Sequence, residues 1–202
     1  MISLPPALPK FEKIKRYWDP TKDVHIAQIL PGEVYVTREH EIVSTLLGSC
    51  IAVCMRDKIN RIGGMNHFKL PMPAENDLST DNTNYGIFAM ELLINAILKN
   101  GGNKAYLECT VFGGGNVAST ITSDIGGKNL KFVLNFLKNE AIPIIRQDTG
   151  HNMAQQVYYH PRSGDTFSVI KQNSTLTKIK KAEKRYLASI ASDSNNATIE
   201  FF

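Results

Sequence analysis

The chain has 202 residues, of which 43% are apolar, and a formal net charge of +4, so it holds enough apolar material for one well-buried domain. Its Lys and Arg residues are not clustered with interleaved aromatics, which argues against a nucleic-acid partner, and no run approaches the roughly 18 apolar residues of a membrane span. Three cysteines, Cys50, Cys54 and Cys109, form neither a CxxC nor a Cys/His zinc pattern, so no metal, cofactor or disulfide framework is expected and a reducing, cytoplasmic location fits best.

Residues 1–23 lack the continuous apolar core of a signal peptide. Prolines at 5, 6, 9 and 20 keep this arm extended, with Phe11, Tyr17 and Trp18 available to lie against the body. The runs VHIAQIL and EVYVT within 24–37 flank Pro31-Gly32, which predicts a first hairpin. His25 and His40 fall in and after this region, and no nucleophile is placed near either by local spacing, so both read as packing or surface histidines.

The stretch 44–71, STLLGSCIAVCMRDKINRIGGMNHFKLP, is the centre of the chain. Two short β-rich runs flank a charged segment containing Asn60, the pattern of a β-hairpin. Pairing the runs symmetrically about the middle of that segment puts Cys50 opposite His67, with Met55 opposite Ile62, Val53 opposite Gly64 and Ala52 opposite Met65. Directly opposed Cβ atoms lie roughly 4.5–5.5 Å apart, which brings a thiol within reach of an imidazole. An imidazole there can take the thiol's proton and stabilise the thiolate as an ion pair. Gly48 and Ser49, just before the thiol, offer backbone N–H groups as an oxyanion hole. Asn66 falls on the other face of its strand.

Residues 71–84 are polar and Pro-containing, a surface loop beside this hairpin and a candidate rim for substrate access. A helix follows, with Ile87, Met90, Leu93, Ile94, Ile97 and Leu98 on one face, polar residues at 81–84 to cap it and Gly101 to stop it. A strand is expected over 104–112, ending in Gly113-Gly114-Gly115. That run lacks the spacing of a phosphate loop and suggests close backbone approach near the cleft. Gly126-Gly127-Lys128-Asn129 precedes a second helix with the stripe Leu130, Val133, Leu134 and Leu137. A strand over 142–147 leads to His151, to which the spacing gives no role, and the runs at 157–160 and 166–171 make a terminal hairpin. Leu176, Ile179, Ala182, Tyr186 and Ile190 then recur at helical spacing beside several lysines, so 173–202 should be a basic amphipathic helix with a disordered tail. The organisation expected is one domain over 1–172 with an extended arm, plus that extension.

LGSCIAVCMRD, GGMNHFKLP and the upstream LPPALPKFEKIKRYWDP and ILPGEVYVT resemble the chemoreceptor glutamine deamidase family CheD in its proteobacterial form. The likeness runs from about residue 4 to about residue 170, and its two central motifs are specific in wording and spacing. It implies hydrolysis of selected glutamine side chains of methyl-accepting chemotaxis receptors to glutamate through a cysteine thioester, with Cys50 as nucleophile and His67 as its partner. The family's third residue is a Thr six positions before the Cys. Here that position is Ser44, with Thr45 beside it, so the third role lies between the two. A CheC-type phosphatase is an implied partner, and a non-catalytic adaptation module that binds it is the alternative function. The expected class is α/β or α+β with mainly antiparallel strands, and the resemblance implies a layered β-sandwich core flanked by helices, similar to deamidase toxins of the cytotoxic necrotizing type.

Overall fold

A computed structural model describes residues 3–70, 85–115 and 124–171. The expectations for the loop at 71–84 and for the extension at 173–202 lie outside the described residues. Among the described residues, ten strands and two α-helices follow in the order β1 (Lys15–Asp19), β2 (Val24–Gln28), β3 (Val34–Thr37), β4 (Glu41–Leu47), β5 (Ile51–Asp57), β6 (Ile62–Phe68), α1 (Gly86–Lys99), β7 (Leu107–Gly113), α2 (Ile125–Asn139), β8 (Ile144–Thr149), β9 (Ala154–Tyr159) and β10 (Thr166–Lys171). A short 3-10 turn, Lys104–Tyr106, enters β7. This is an α+β architecture.

The strands form two five-stranded mixed sheets. The first has the order β1-β2-β4-β9-β10 and the second β3-β6-β5-β7-β8. Parallel pairing occurs at β2/β4 and β7/β8, and the remaining pairs are antiparallel. Alternation along β6 shows how the layers stack. Asn66 meets Met90 of α1, whereas the next residue, His67, meets Thr45 of the first sheet. The second sheet is therefore sandwiched between the first sheet and the helices. That explains why β6 and β7 are buried at every position and why β5 reads as a nearly continuous apolar run.

Several expected elements change in detail. The runs around Pro31-Gly32 do not form a hairpin, because β2 belongs to the first sheet and β3 to the second. The turn steps between layers, and it is held there by Gly32 N–H on the His67 carbonyl at 2.7 Å. Part of the arm is a strand: β1 pairs with β2 along its whole length. What fixes it is Glu41, a fully buried carboxylate that accepts hydrogen bonds from the Arg16 guanidinium, the Tyr35 hydroxyl at 2.7 Å and the Thr37 hydroxyl at 2.8 Å. A buried charge that loses its counter-ion is strongly destabilising. Arg16→Ala is accordingly expected to lower unfolding free energy by roughly 3 kcal/mol, read as a shifted urea midpoint at unchanged m-value. Residues 126–129, expected ahead of the second helix, lie inside it, and Asp124 caps its start by accepting from Gly127 N–H at 2.9 Å. The terminal hairpin is present as β9/β10.

Candidate active site

The β5/β6 hairpin exists, with a register two residues away from the symmetric one. Ala52 stands opposite His67, Ile51 opposite Phe68 and Met55 opposite Gly64. The shift arises in the turn. Asp57 pairs with Ile62, and its carboxylate accepts from the backbone N–H groups of Ile59 and Asn60, both at 2.8 Å, and from Asn103 N–H at 2.7 Å. Arg61 takes a positive φ of 52° to close the loop. A slip of one would have sent Cys50 to the opposite face. A slip of two preserves the faces, and Cys50, in the bend one residue before the ladder begins, falls diagonal to His67 in that register rather than opposite it.

Around His67 the hydrogen bonds decide the tautomer. The Thr45 hydroxyl has a single proton, which it donates to the Ile29 carbonyl at 2.9 Å. Toward His67 Nδ1, 2.7 Å away, it therefore presents a lone pair, and the ring proton must sit on Nδ1. Nε2 is left with its own lone pair, buried and without a hydrogen-bond partner among the described residues. The ring is 1% exposed. Burial, with the Lys69 ammonium adding to it, pushes the His67 pKa down to about 3. The resting imidazole is neutral, and it becomes charged only by taking up a proton from a partner. Backbone bonds from His67 N–H to the Glu33 carbonyl and from Gly32 N–H to the His67 carbonyl hold the strand end in place.

Ser44 and Thr45 are adjacent on β4 and point to opposite faces. Thr45 faces the gap between the sheets, where His67 lies. Ser44 stands opposite Tyr158 and points away from that gap, so the position six before Cys50 is not the one that meets the imidazole.

Gly48, Ser49 and Cys50 form the bend between β4 and β5, and each of their carbonyls is tied from behind. Gly115 N–H donates to the Gly48 carbonyl at 3.0 Å, Asn129 Nδ2 to the Ser49 carbonyl at 3.2 Å and Gly114 N–H to the Cys50 carbonyl at 2.8 Å. These bonds fix the orientation of the peptide units on which an oxyanion hole would depend. The glycine run is the cradle for this bend. Gly113 has φ of 97°, and a Cβ there would lie 2.1 Å from the Cys50 carbonyl oxygen, so a side chain is excluded both by conformation and by space.

The three thiols are free and differ in environment. Cys54 and Cys109 are each 1% exposed. Burial pushes Cys109 up to about 12 and Cys54 well above its ordinary range, so both are inert at neutral pH. Cys50 is 9% exposed and directly precedes β5. Among the other histidines, His25 meets Trp18 edge to face, His40 meets His160 likewise, and His151 bonds Asp148 at 2.6 Å.

Asn129 is the residue the sequence reading missed. The buried stripe of α2 is Gly126, Asn129, Val133 and Leu137, so an amide occupies a position where helical spacing calls for an apolar side chain. That mismatch at a spacing of 3 and 4 was the available signal.

Comparison with known proteins gives a consistent set of relatives. The family described as "CheD chemotactic sensory transduction" matches residues 69–169, a stretch that begins just past His67. The chain is 41% identical over 206 residues to a probable chemoreceptor glutamine deamidase CheD of Saccharophagus degradans, covering 98% of this chain and 94% of that protein. It is 38% identical over 207 residues to the protein of the same name in Halorhodospira halophila, covering 100% and 95%. With the probable chemoreceptor glutamine deamidase CheD 1 of Dechloromonas aromatica, it shares 46% identity over 150 residues, covering 74% and 75%.

Proposed function

The chain belongs to the CheD family of chemoreceptor glutamine deamidases, and from that premise we propose that it hydrolyses glutamine side-chain amides of methyl-accepting chemotaxis receptors to glutamate, with Cys50 as nucleophile and His67 as base. The observation that carries the assignment is the Thr45–His67 hydrogen bond, which leaves Nε2 as a buried lone pair without a hydrogen-bond partner among the described residues.

In the first half-reaction Cys50 Sγ attacks the carboxamide carbon while its proton passes to His67 Nε2. The oxyanion that forms is held by backbone N–H groups of the 48–50 bend, Gly48 and Ser49 among them. Collapse breaks the C–N bond, and the nitrogen leaves as ammonia with the proton from Nε2. The result is a thioester between Cys50 and the receptor side chain. In the second half-reaction Nε2 accepts a proton from water, the hydroxide attacks the thioester carbon, and the thiol departs protonated as glutamate is released. Because the imidazole rests neutral, proton transfer is driven by the developing C–S bond rather than by a preformed thiolate. Thr45 keeps the reactive nitrogen unprotonated between the two steps.

The two-layer sandwich with its thiol and imidazole at one end of a sheet also supports a likeness to deamidase toxins of the cytotoxic necrotizing type. Three free thiols support a reducing, cytoplasmic setting, and among the described residues no helix is long and apolar enough to cross a membrane.

Incubation with a receptor cytoplasmic fragment is expected to add roughly 1 Da per converted glutamine, the mass change of amide hydrolysis, as seen by peptide mass spectrometry. No mass gain, together with co-elution with a CheC-type phosphatase, would favour the interaction-module reading. The third position separates cleanly in the same assay. Thr45→Val, which keeps the shape and loses the hydroxyl, is expected to lower kcat by roughly 10–100-fold, the usual effect of removing the group that orients a functional histidine. Ser44→Ala should stay within about twofold of wild type, because a hydroxyl turned away from the imidazole has no part in orienting it. Equal losses in both variants would undo the assignment of Thr45.

A further inference from the structure

We infer that Asn129 is a positioning residue that sets the separation of Cys50 from His67. The inference rests on the reading of those two residues given above. Its side-chain amide donates to the Ser49 carbonyl at 3.2 Å and to the Lys69 carbonyl at 2.7 Å. Ser49 immediately precedes the thiol, and Lys69 follows His67 by two residues. One NH2 group therefore joins the bend that carries the nucleophile to the strand end that carries the base. Both acceptors are carbonyls, so the orientation of the amide is fixed by chemistry: only its nitrogen end can serve them.

The placement of α2 makes this joint stiff. Gly126 lies one turn before Asn129 on the same helical face. A Cβ at Gly126 would lie 2.6 Å from the carbonyl oxygens of both Gly114 and Gly115, so the helix presses directly on the glycine cradle beneath the bend. Asn129 is fully buried, and its Oδ1 has no hydrogen-bond partner among the described residues. An amide kept in an apolar stripe with its oxygen unserved is unfavourable for packing alone, and its nitrogen end accounts for its presence. The amide thus acts on the reaction through the two main-chain segments and touches neither reacting atom.

The test uses the full chain with Asn129→Leu, nearly the same size and suited to the stripe, and Asn129→Ser, which keeps one donor. Two readouts are taken: kcat and KM on a receptor fragment, and the pH dependence of Cys50 alkylation by iodoacetamide, mapped by mass spectrometry. For Asn129→Leu, kcat is expected to fall about 10–100-fold with KM within about twofold, as for a sub-ångström to 1 Å misplacement of reacting groups. Cys50 alkylation should slow by about tenfold at pH 7, as in His67→Gln, because the imidazole no longer takes the thiol's proton as it reacts. Asn129→Ser should lie between Asn129→Leu and wild type on both measures. Folded variants with an unchanged alkylation profile overturn the inference, whether or not activity falls. Failure of both variants to fold also overturns it, since the amide would then hold the fold rather than the pair. If instead Cys50→Ala retains activity, the mechanism fails, while the alkylation profiles still report whether Asn129 governs the thiol's surroundings.

Discussion

Cys50→Ala is expected to abolish receptor deamidation, with kcat/KM falling by about 10^4-fold or more, the scale on which loss of a covalent nucleophile is felt. The chain has no second thiol to take over. Cys54 and Cys109 are 1% exposed and burial holds both protonated. Serine should not rescue the reaction. His67 with a pKa near 3 is a weak base, and a hydroxyl gives up its proton far less readily than a thiol. The truncation removes one sulfur from a bend whose three carbonyls remain tied by Gly114, Gly115 and Asn129, so the thermal midpoint should change little. Mass spectrometry of the receptor fragment reads the activity, and circular dichroism confirms the fold. Persistent conversion in a folded Cys50→Ala protein would end the thioester mechanism.

His67→Gln carries the second large effect, a fall in kcat of roughly 10^2–10^4-fold, the range assigned to a positioned general base. It has a counterpart in stability. The folded imidazole titrates near 3, against 6.5 for a free histidine. Between those values the unfolded chain binds a proton that the folded chain refuses. Stability contributed by keeping His67 neutral is therefore complete above pH 6.5 and is lost as pH falls toward 3, with a slope of up to about 1.4 kcal/mol per pH unit. Urea unfolding of wild type at pH 7.5 and pH 5 should show this loss, and His67→Gln should show less of it. His160, which burial also lowers, and the lowered carboxyls of Asp57 and Asp148 contribute equally to both proteins and cancel in the comparison. Identical pH slopes would mean that His67 is solvated in the folded state.

The family and the central hairpin were more legible in the sequence than the register. A hairpin preserves strand faces under a shift of two, so the reading that set Cys50 opposite His67 sorted the faces of the two strands although the turn placed Ala52 there. The shift itself was hidden in Asp57, whose carboxylate organises the turn through main-chain N–H groups and a distant Asn103. The glycine run was legible as close approach, since only missing side chains let Gly113 lie against Cys50. Which strand belonged to which sheet was not. Pro31-Gly32 looks the same whether the chain turns back on itself or crosses to another layer, and the long-range partner that decides, His67, lies far along the sequence. The choice between Ser44 and Thr45 was equally out of reach, because it depends on which face of β4 looks inward. Asn129 was masked by the leucines around it, which suggested a stripe rotated from the buried one.

The imidazole and the hydroxyl that seats its proton belong to different sheets, His67 to the second and Thr45 to the first. The bond between them is thus also a gauge of how the two layers are aligned. Any sideways creep of one slab over the other frees the ring to swap its tautomer well before either slab loses its own ladder. An otherwise intact molecule with loosened layers would keep its sulfur and its imidazole, yet would have the proton parked on the wrong nitrogen.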